Sequence, residues 1–591
     1  MSQQSASSQA RGKSPPQIST AAAFAVSRDF DLGKMTALVI DDNDASRMTV
    51  SGVLRDIGIG RVKSVRGTLQ AKAHLKDASY DVILCEYHFT GPETGQDLLD
   101  DIRRKRLVPY NTIFFMVTGE AIYDRVASVV ENAPDDYLLK PFKPLTLETR
   151  LHRALSRKIA MLPIWKNLEE GAIDKALIRC KLMVRDRETF WVDAARMGAE
   201  ICLHLKRESE AEQFYNFVLE AKALPWAKLG IAEVAMSSND AERARSSLEE
   251  LVTESNAYVD AFDMLAKVYF EEGSLQRSLE TLRRAVDATP SNVLRLQKLG
   301  TLAFLMGQTD EAHSMLSKAY RLRQGNRDFD PQTLVLLLLL ALTRGEVPKD
   351  MERFVAPMTT LLAAAPDDRR LRNLKRITDA CLAAAGGEKS RAQDILRDIE
   401  KRLREPGFEF ESAIHLLVLT DRLAPLGITP ADMAMMAKTL SRRLAVSKAA
   451  VELLVAAAGH QKELADAISR EHAEINGKIN DVMSRLLKGD IDNAARGLVE
   501  LARATLNARI VSLAENLAAK HASKMSQASV RMVEEVMSIA AAAGATGNSV
   551  HLARITDSRT RRLPLGITSP AAANDAAAAP ATTDAAATAA G

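Results

Sequence analysis

The chain runs to 591 residues, 47% hydrophobic and 26% charged, which suits a globular protein of several domains. Its 79 Lys plus Arg against 76 Asp plus Glu leave a formal net charge of +3, without the basic excess of a dedicated nucleic-acid binder. The four cysteines, Cys85, Cys180, Cys202 and Cys381, lie far apart, which excludes a disulfide framework or a paired-cysteine zinc site and fits a reducing cytoplasm.

Residues 1–33 are polar, rich in Ser, Gln and Ala, and carry Pro15-Pro16, so they read as a disordered leader. From 34 to 158 short β-like runs alternate with helical patterns. Strands are predicted at 37–40, 61–65, 81–85, 112–117 and 136–139, and helices at 45–57, 68–75, 96–104, 122–131 and from about 145. The first and third strands are apolar without alternation, as in a parallel sheet covered on both faces. Five strand–helix units predict a doubly wound α/β domain, (βα)5, with its chemistry at the carboxyl ends of the strands.

From 159 onward the grammar becomes all-α. Leu265, Ala266, Tyr269, Gly273, Ser278, Leu282, Ala285 and Pro290 form one pattern. Leu299, Gly300, Ala303, Gly307, Ala312, Leu316 and Ala319 repeat it, with Gly273 and Gly307 34 residues apart. Asn239, Ala244, Leu248 and Leu251 carry the same register 34 residues earlier. This period resembles that of tetratricopeptide (TPR) repeats, in which helix pairs stack into a solenoid. Small residues at Gly300/Ala266 and Ala312/Ser278 are expected to let paired helices approach closely. An array is expected at 159–345, degenerate helical repeats or a separate helical domain at 346–480, further TPR-like helices at 481–560, and a disordered Ala/Pro/Thr tail at 561–591. The longest apolar run, 334–342, has nine residues, against the ~20 of a spanning helix. No membrane association is expected, and the location expected is cytoplasmic.

The chemistry-bearing residues gather in the first region. The first strand ends in Asp41-Asp42, an acidic pair whose mutual repulsion a divalent cation relieves. The third strand ends in Glu86-Tyr87-His88, the fourth in Thr118-Gly119, and the fifth runs Tyr137-Leu138-Leu139-Lys140-Pro141. Acids, a hydroxyl and a lysine at adjacent strand ends make a place for a phosphoryl group.

In this combination, residues 35–156 resemble a bacterial response-regulator receiver domain of the chemotaxis type, flavodoxin-like in fold. The resemblance implies that Asp41 and Asp42 are the metal-site acids, with the backbone carbonyl of His88 completing a Mg²⁺ site. It implies Thr118 as the switch hydroxyl, Tyr137 as the switch aromatic, Lys140 as the phosphate-binding lysine, and a cis Lys140-Pro141 peptide. One position departs from the family: the phosphoacceptor aspartate is replaced by Glu86. The extra methylene moves the carboxylate outward by about 1.5 Å, and a misplacement of about 1 Å costs on the order of 10²-fold in transfer. Three outcomes stay open: Glu86 mimics a phosphorylated aspartate, it pairs with Lys140 in an inert scaffold, or it accepts phosphate slowly.

After residue 158 the sequence carries no cyclase, phosphodiesterase or DNA-binding signature and no acid/base or nucleophile cluster, so no enzyme activity is expected. The function expected is that of a two-component or phosphorelay signalling adaptor. Its degenerate receiver would dock on a sensor histidine kinase, a phosphotransfer domain or another response regulator, while the TPR groove holds a protein or peptide ligand. The alternatives are a phosphorylation-switched regulator with a protein-binding output and a structural scaffold with a vestigial receiver.

Overall fold

The computed structural model describes residues 31–543 except 91–92, 106, 110, 120–133, 239, 255–257, 324–327 and 406–407. The expected helix at 122–131, the repeat position Asn239, the stretch 544–560, the tail and the first thirty residues lie outside the described residues. The chain divides into two compact units that meet between Phe214 and Tyr215, and each is taken by itself.

The first unit begins with five parallel strands: β1 (Thr36–Ile40), β2 (Arg61–Val65), β3 (Val82–Glu86), β4 (Ile113–Thr118) and β5 (Asp136–Leu139), in the order β2-β1-β3-β4-β5. Alternate residues of each strand point to opposite faces, and both faces are covered. Ala37, Val39, Val82, Leu84, Phe115 and Leu138 pack on one side with Leu147 and Leu151. Leu38, Ile40, Ile83, Cys85, Phe114 and Met116 pack on the other with Leu98, Leu99 and Tyr137. That double covering explains why β1 and β3 read as unbroken apolar runs. The helices start where the sequence offers caps: Asn43 accepts from the Ser46 N–H ahead of Asp44–Asp56, and Thr94 forms a capping box with Asp97 ahead of Gly95–Arg104.

Two expected boundaries shift. Residues 31–33 belong with the sheet domain rather than with a leader: Leu32–Lys34 is a 3-10 turn, the Gly60 N–H donates to the Leu32 carbonyl at 3.1 Å, and Leu32 lies on the sheet core. The domain also does not end at 158. Helix Pro144–Glu169 is continuous through that point. Its first half covers the sheet with Leu147, Leu151, Ala154 and Leu155, and its second half packs on Ile173–Arg185. At its centre Arg157 donates to Asp135 at 2.9 Å and lies 3.8 Å from Asp193 on Trp191–His204. Lys158 meets the same Asp135 carboxylate at 3.1 Å. One helix thus serves as the last layer of the sheet domain and the first rod of the helical array.

The second unit is all-α among its described residues. Helix pairs such as Val259–Glu271 with Leu275–Ala288 and Val293–Leu305 with Thr309–Arg321 form antiparallel hairpins turned by Gly273 and Gly307, both in the left-handed region. The expected close approach is present: the Ser278 hydroxyl donates to the Ala266 carbonyl at 2.7 Å. The region at 346–480 is not a separate domain, because one apolar cluster runs unbroken from Ala266 through Leu334–Ala341, Leu374, Leu416 and Leu454 to Ile468. Nor does a boundary fall at 480, since helix Lys462–Leu487 spans it and carries the chain into a second core with Ile491–Thr505, Ala508–His521 and Gln527–Ala542. The nine-residue apolar run is a buried helix within Gln332–Thr343. No helix among the described residues is long and apolar enough to cross a membrane.

Candidate functional site

Parallel register brings the predicted residues to one edge of the sheet. Ile40 pairs with Cys85, Glu86 with Val117, and Thr118 with Leu139. Asp41, Glu86, Thr118 and Lys140 therefore emerge side by side where four strands end. The Lys140 N–H donates to the Thr118 carbonyl at 2.8 Å, and Lys140-Pro141 is cis. The end of β3 is held by the returning chain: the Gly95 N–H donates to the Tyr87 carbonyl at 2.8 Å. A Cβ at Gly95 would stand 2.2 Å from the Glu86 carbonyl oxygen, so only glycine fits there.

Asp41 is buried and fully engaged. Its Oδ1 accepts from the Asn43 N–H at 2.9 Å, and its Oδ2 accepts from the Ser46 hydroxyl at 2.6 Å and from Lys140 Nζ at 2.7 Å. Its backbone carbonyl accepts from Arg47 at 2.7 Å. Glu86 is likewise saturated. Oε2 accepts from Lys140 Nζ, while Oε1 turns back to the N–H groups of Tyr87 at 2.8 Å and His88 at 3.3 Å. One ammonium therefore bridges two carboxylates. Burial pulls the Lys140 ammonium down, but its hydrogen bonds and charge pairing with Asp41 and Glu86 prevail and hold it above its ordinary value. Burial pushes the neighbouring Cys85 thiol well up, and the charges of Glu86 and Asp41 add to that. Cys85 is thus an inert core residue rather than a nucleophile.

Asp42 goes elsewhere. Its Oδ2 accepts both from the Thr90 N–H at 2.8 Å and from the Thr90 hydroxyl at 3.0 Å, tying the loop after β1 to the loop after β3. Thr90 lies 48 residues from Asp42, and no local sequence signal pairs them. His88 is exposed on that second loop, with its ring edge-on to Tyr87. Thr118 is buried at the end of β4, and Tyr137 is buried in the apolar layer beneath it.

The acids expected to hold Mg²⁺ are engaged within the chain. Asp41 and Glu86 both close on Lys140, Asp42 closes on Thr90, and among the described residues no group of three His, Cys, Asp or Glu side chains is placed to hold a metal ion. The lysine supplies the positive charge that two crowded acids require.

Comparison with known proteins identifies the sheet domain. Residues 37–152 match the family model of the response regulator receiver domain. Over 123 residues the chain is 28% identical to chemotaxis protein CheY-3 of two Vibrio cholerae O1 strains, covering 21% of this chain and 93% of the relative. Among solved structures, the C-terminal part of a TPR repeat-containing protein from Cytophaga hutchinsonii is similar over 46% of this chain and 97% of that one, at 13% identity and TM-score 0.27. The structure of Naa15/Naa10 bound to HypK-THB is similar over 65% and 68%, at 12% identity and TM-score 0.24.

Proposed function

We propose that the response regulator receiver domain of this chain, residues 37–152, is a docking module that works without accepting a phosphoryl group, and that the helical array behind it carries a second protein. The receiver engages a sensor histidine kinase, a phosphotransfer domain or another regulator, and the whole chain acts as an adaptor. Because the receiver is recognised but takes no phosphate, it competes with phosphate-accepting receivers for the same partner.

The observation that supports this reading is the state of Glu86. An attacking carboxylate needs an oxygen aimed at the incoming phosphorus, in near-attack geometry. Here one oxygen is bound by the Lys140 ammonium and the other by two backbone N–H groups. The cation that would neutralise transferring phosphate oxygens is already neutralised by Asp41 and Glu86.

Affinity capture with the full-length chain, against a panel of sensor kinases and phosphotransfer domains, tests the docking half. Retention of one such partner, with no label passing from it to this chain, is the expected result. Failure to retain any of them removes the relay partner from the reading.

A further inference from the structure

In a hairpin solenoid each helix pair buries the faces it turns to its neighbours, and the first helices line an inner face open to ligands. In this chain those helices are buried nearly all round. Val293–Leu305 buries Arg295, Gln297, Lys298 and Thr301 together with its leucines, and Val259–Glu271, Gln332–Thr343 and Phe410–Leu423 are buried to a similar extent. The partner helices Leu275–Ala288 and Thr309–Arg321 bury only one stripe. Polar groups on the inner helices answer one another. Asp263 accepts from Arg295 at 2.8 Å and from Lys298 at 3.1 Å. The Gln297 side-chain oxygen accepts from the Asp330 N–H at 2.7 Å and the Thr333 hydroxyl at 2.8 Å. These groups are satisfied within the chain rather than held out to a peptide.

The element that completes this enclosure is helix Lys448–Ala457. It packs chiefly on Phe410–Leu423 and Lys462–Leu487, and it reaches back to touch Val259–Glu271 and Val293–Leu305 more lightly. Ala449, Ala450, Leu453, Leu454 and Ala457 form its buried side, within the same apolar cluster as Ala266, Leu296 and Leu299. A Cβ on Gly273 would stand 3.5 Å from Lys448 Cδ, so the lysine stem lies over the turn that follows Val259–Glu271.

We infer that helix Lys448–Ala457 is a cis ligand: it occupies the inner face of the repeats at Val259–Leu305 and closes a ring of helices that a partner must open. The competing partner is an amphipathic helix of the same chemistry, a lysine leading an Ala-Ala pair and a Leu-Leu pair one turn on, as in Lys448, Ala449, Ala450, Leu453 and Leu454. The back contact is the thin seam of the ring. Helix Lys448–Ala457 touches Val259–Glu271 and Val293–Leu305 far more lightly than it does Phe410–Leu423 and Lys462–Leu487, so the ring opens there before any hairpin separates.

Hydrogen exchange on the full-length chain decides the matter. Amides of 450–457 are expected to exchange about tenfold or more faster than those of 296–304. A fluorescent peptide of residues 446–459 is the trans probe. It is expected to bind Leu454→Ala, and Ala450→Glu where that variant folds, about tenfold or more tighter than the unmodified chain. Exchange of the two helices in step overturns the inference, because the helix is then permanent core. So does a folded Leu454→Ala chain that takes up no peptide.

Discussion

Lys140 stands between Glu86 and Asp41 as one ammonium shared by two carboxylates, 2.7 Å from Asp41 Oδ2 and hydrogen-bonded to Glu86 Oε2. One oxygen of the Glu86 carboxylate reaches the lysine, while the second folds back on the loop that follows β3.

Removing the cation has a signed consequence. Lys140→Ala leaves two acids facing each other at a site where Asp41 is almost wholly buried. Breaking buried pairs costs about 3–5 kcal/mol, and with Lys140 a quarter exposed roughly 2–3 kcal/mol is expected here. The same change frees Asp41 and Glu86 to hold a divalent cation. Millimolar Mg²⁺ or Mn²⁺ is therefore expected to raise the melting temperature of the variant and to leave that of the unmodified chain unchanged. Equal stabilisation of both speaks against the bridge.

The pocket is also expected to be indifferent to pH around neutrality. The folded-state value of Lys140 is raised above its ordinary 10.5. Its contribution is fully present below the unfolded lysine value and fades only as pH climbs through the raised one. A melting temperature that drops between pH 7 and 9 in the unmodified chain but not in Lys140→Ala contradicts this.

Deep in the helical array two buried groups titrate in opposite senses. Arg370 donates to both oxygens of Asp330, at 2.8 and 2.9 Å, and also meets Glu411 at 2.7 Å. Glu411 is thus a surplus acid, and its Oε1 has no hydrogen-bond partner among the described residues. Burial raises its pKa to about 7 despite Arg370. The folded state then holds a proton that the unfolded chain releases, so Glu411 makes stability fall as pH rises from 4.5 to 7. His415, one turn on and wholly buried, is pushed down to about 3 by burial and by the charge of Arg370. It makes stability fall as pH drops from 6.5 towards 3. Melting curves across this range are expected to lose the first slope in Glu411→Gln and the second in His415→Gln. Unchanged slopes in both variants reject the assignment.

The repeat packing gives a purely steric test. A Cβ at Gly300 would stand 2.7 Å from Leu316 Cγ and 3.2 Å from the Leu316 backbone nitrogen, so Gly300→Ala forces the hairpin apart at a cost of about 1–3 kcal/mol. A Cβ at Gly52, inside helix Asp44–Asp56, would meet nothing within 4 Å, and Gly52→Ala is expected to be neutral or stabilising by about 0.5–1 kcal/mol. Chemical denaturation of both variants checks the contrast.

Much of this was legible in the sequence where the signal is local. The β strands fall within a residue of their predicted bounds, because an apolar run bounded by Gly, Asp and Pro has few other solutions. The pocket residues Asp41, Glu86, Thr118 and Lys140 could be placed together because parallel register brings successive strand ends to one edge. What escaped was set by long-range geometry. The Asp42–Thr90 tie joins loops 48 residues apart. The fused helix Pro144–Glu169 hides behind a change of pattern at 158 and an internal Pro163. The return of Lys448–Ala457 onto Val259–Leu305 depends on how successive hairpins curve, which no single repeat encodes.

The most direct measurement is phosphoryl transfer to the full-length chain from phosphoramidate with Mg²⁺, followed by intact mass and peptide mapping, with Glu86→Asp run beside it. The expected result is no phosphoryl group on the unmodified chain, and labelling of Asp at position 86 in the variant, whose shorter side chain withdraws by about 1.5 Å from the lysine. A phosphoryl group mapped to Glu86 itself, gained as fast as in Glu86→Asp, contradicts the closed pocket and the docking role drawn from it.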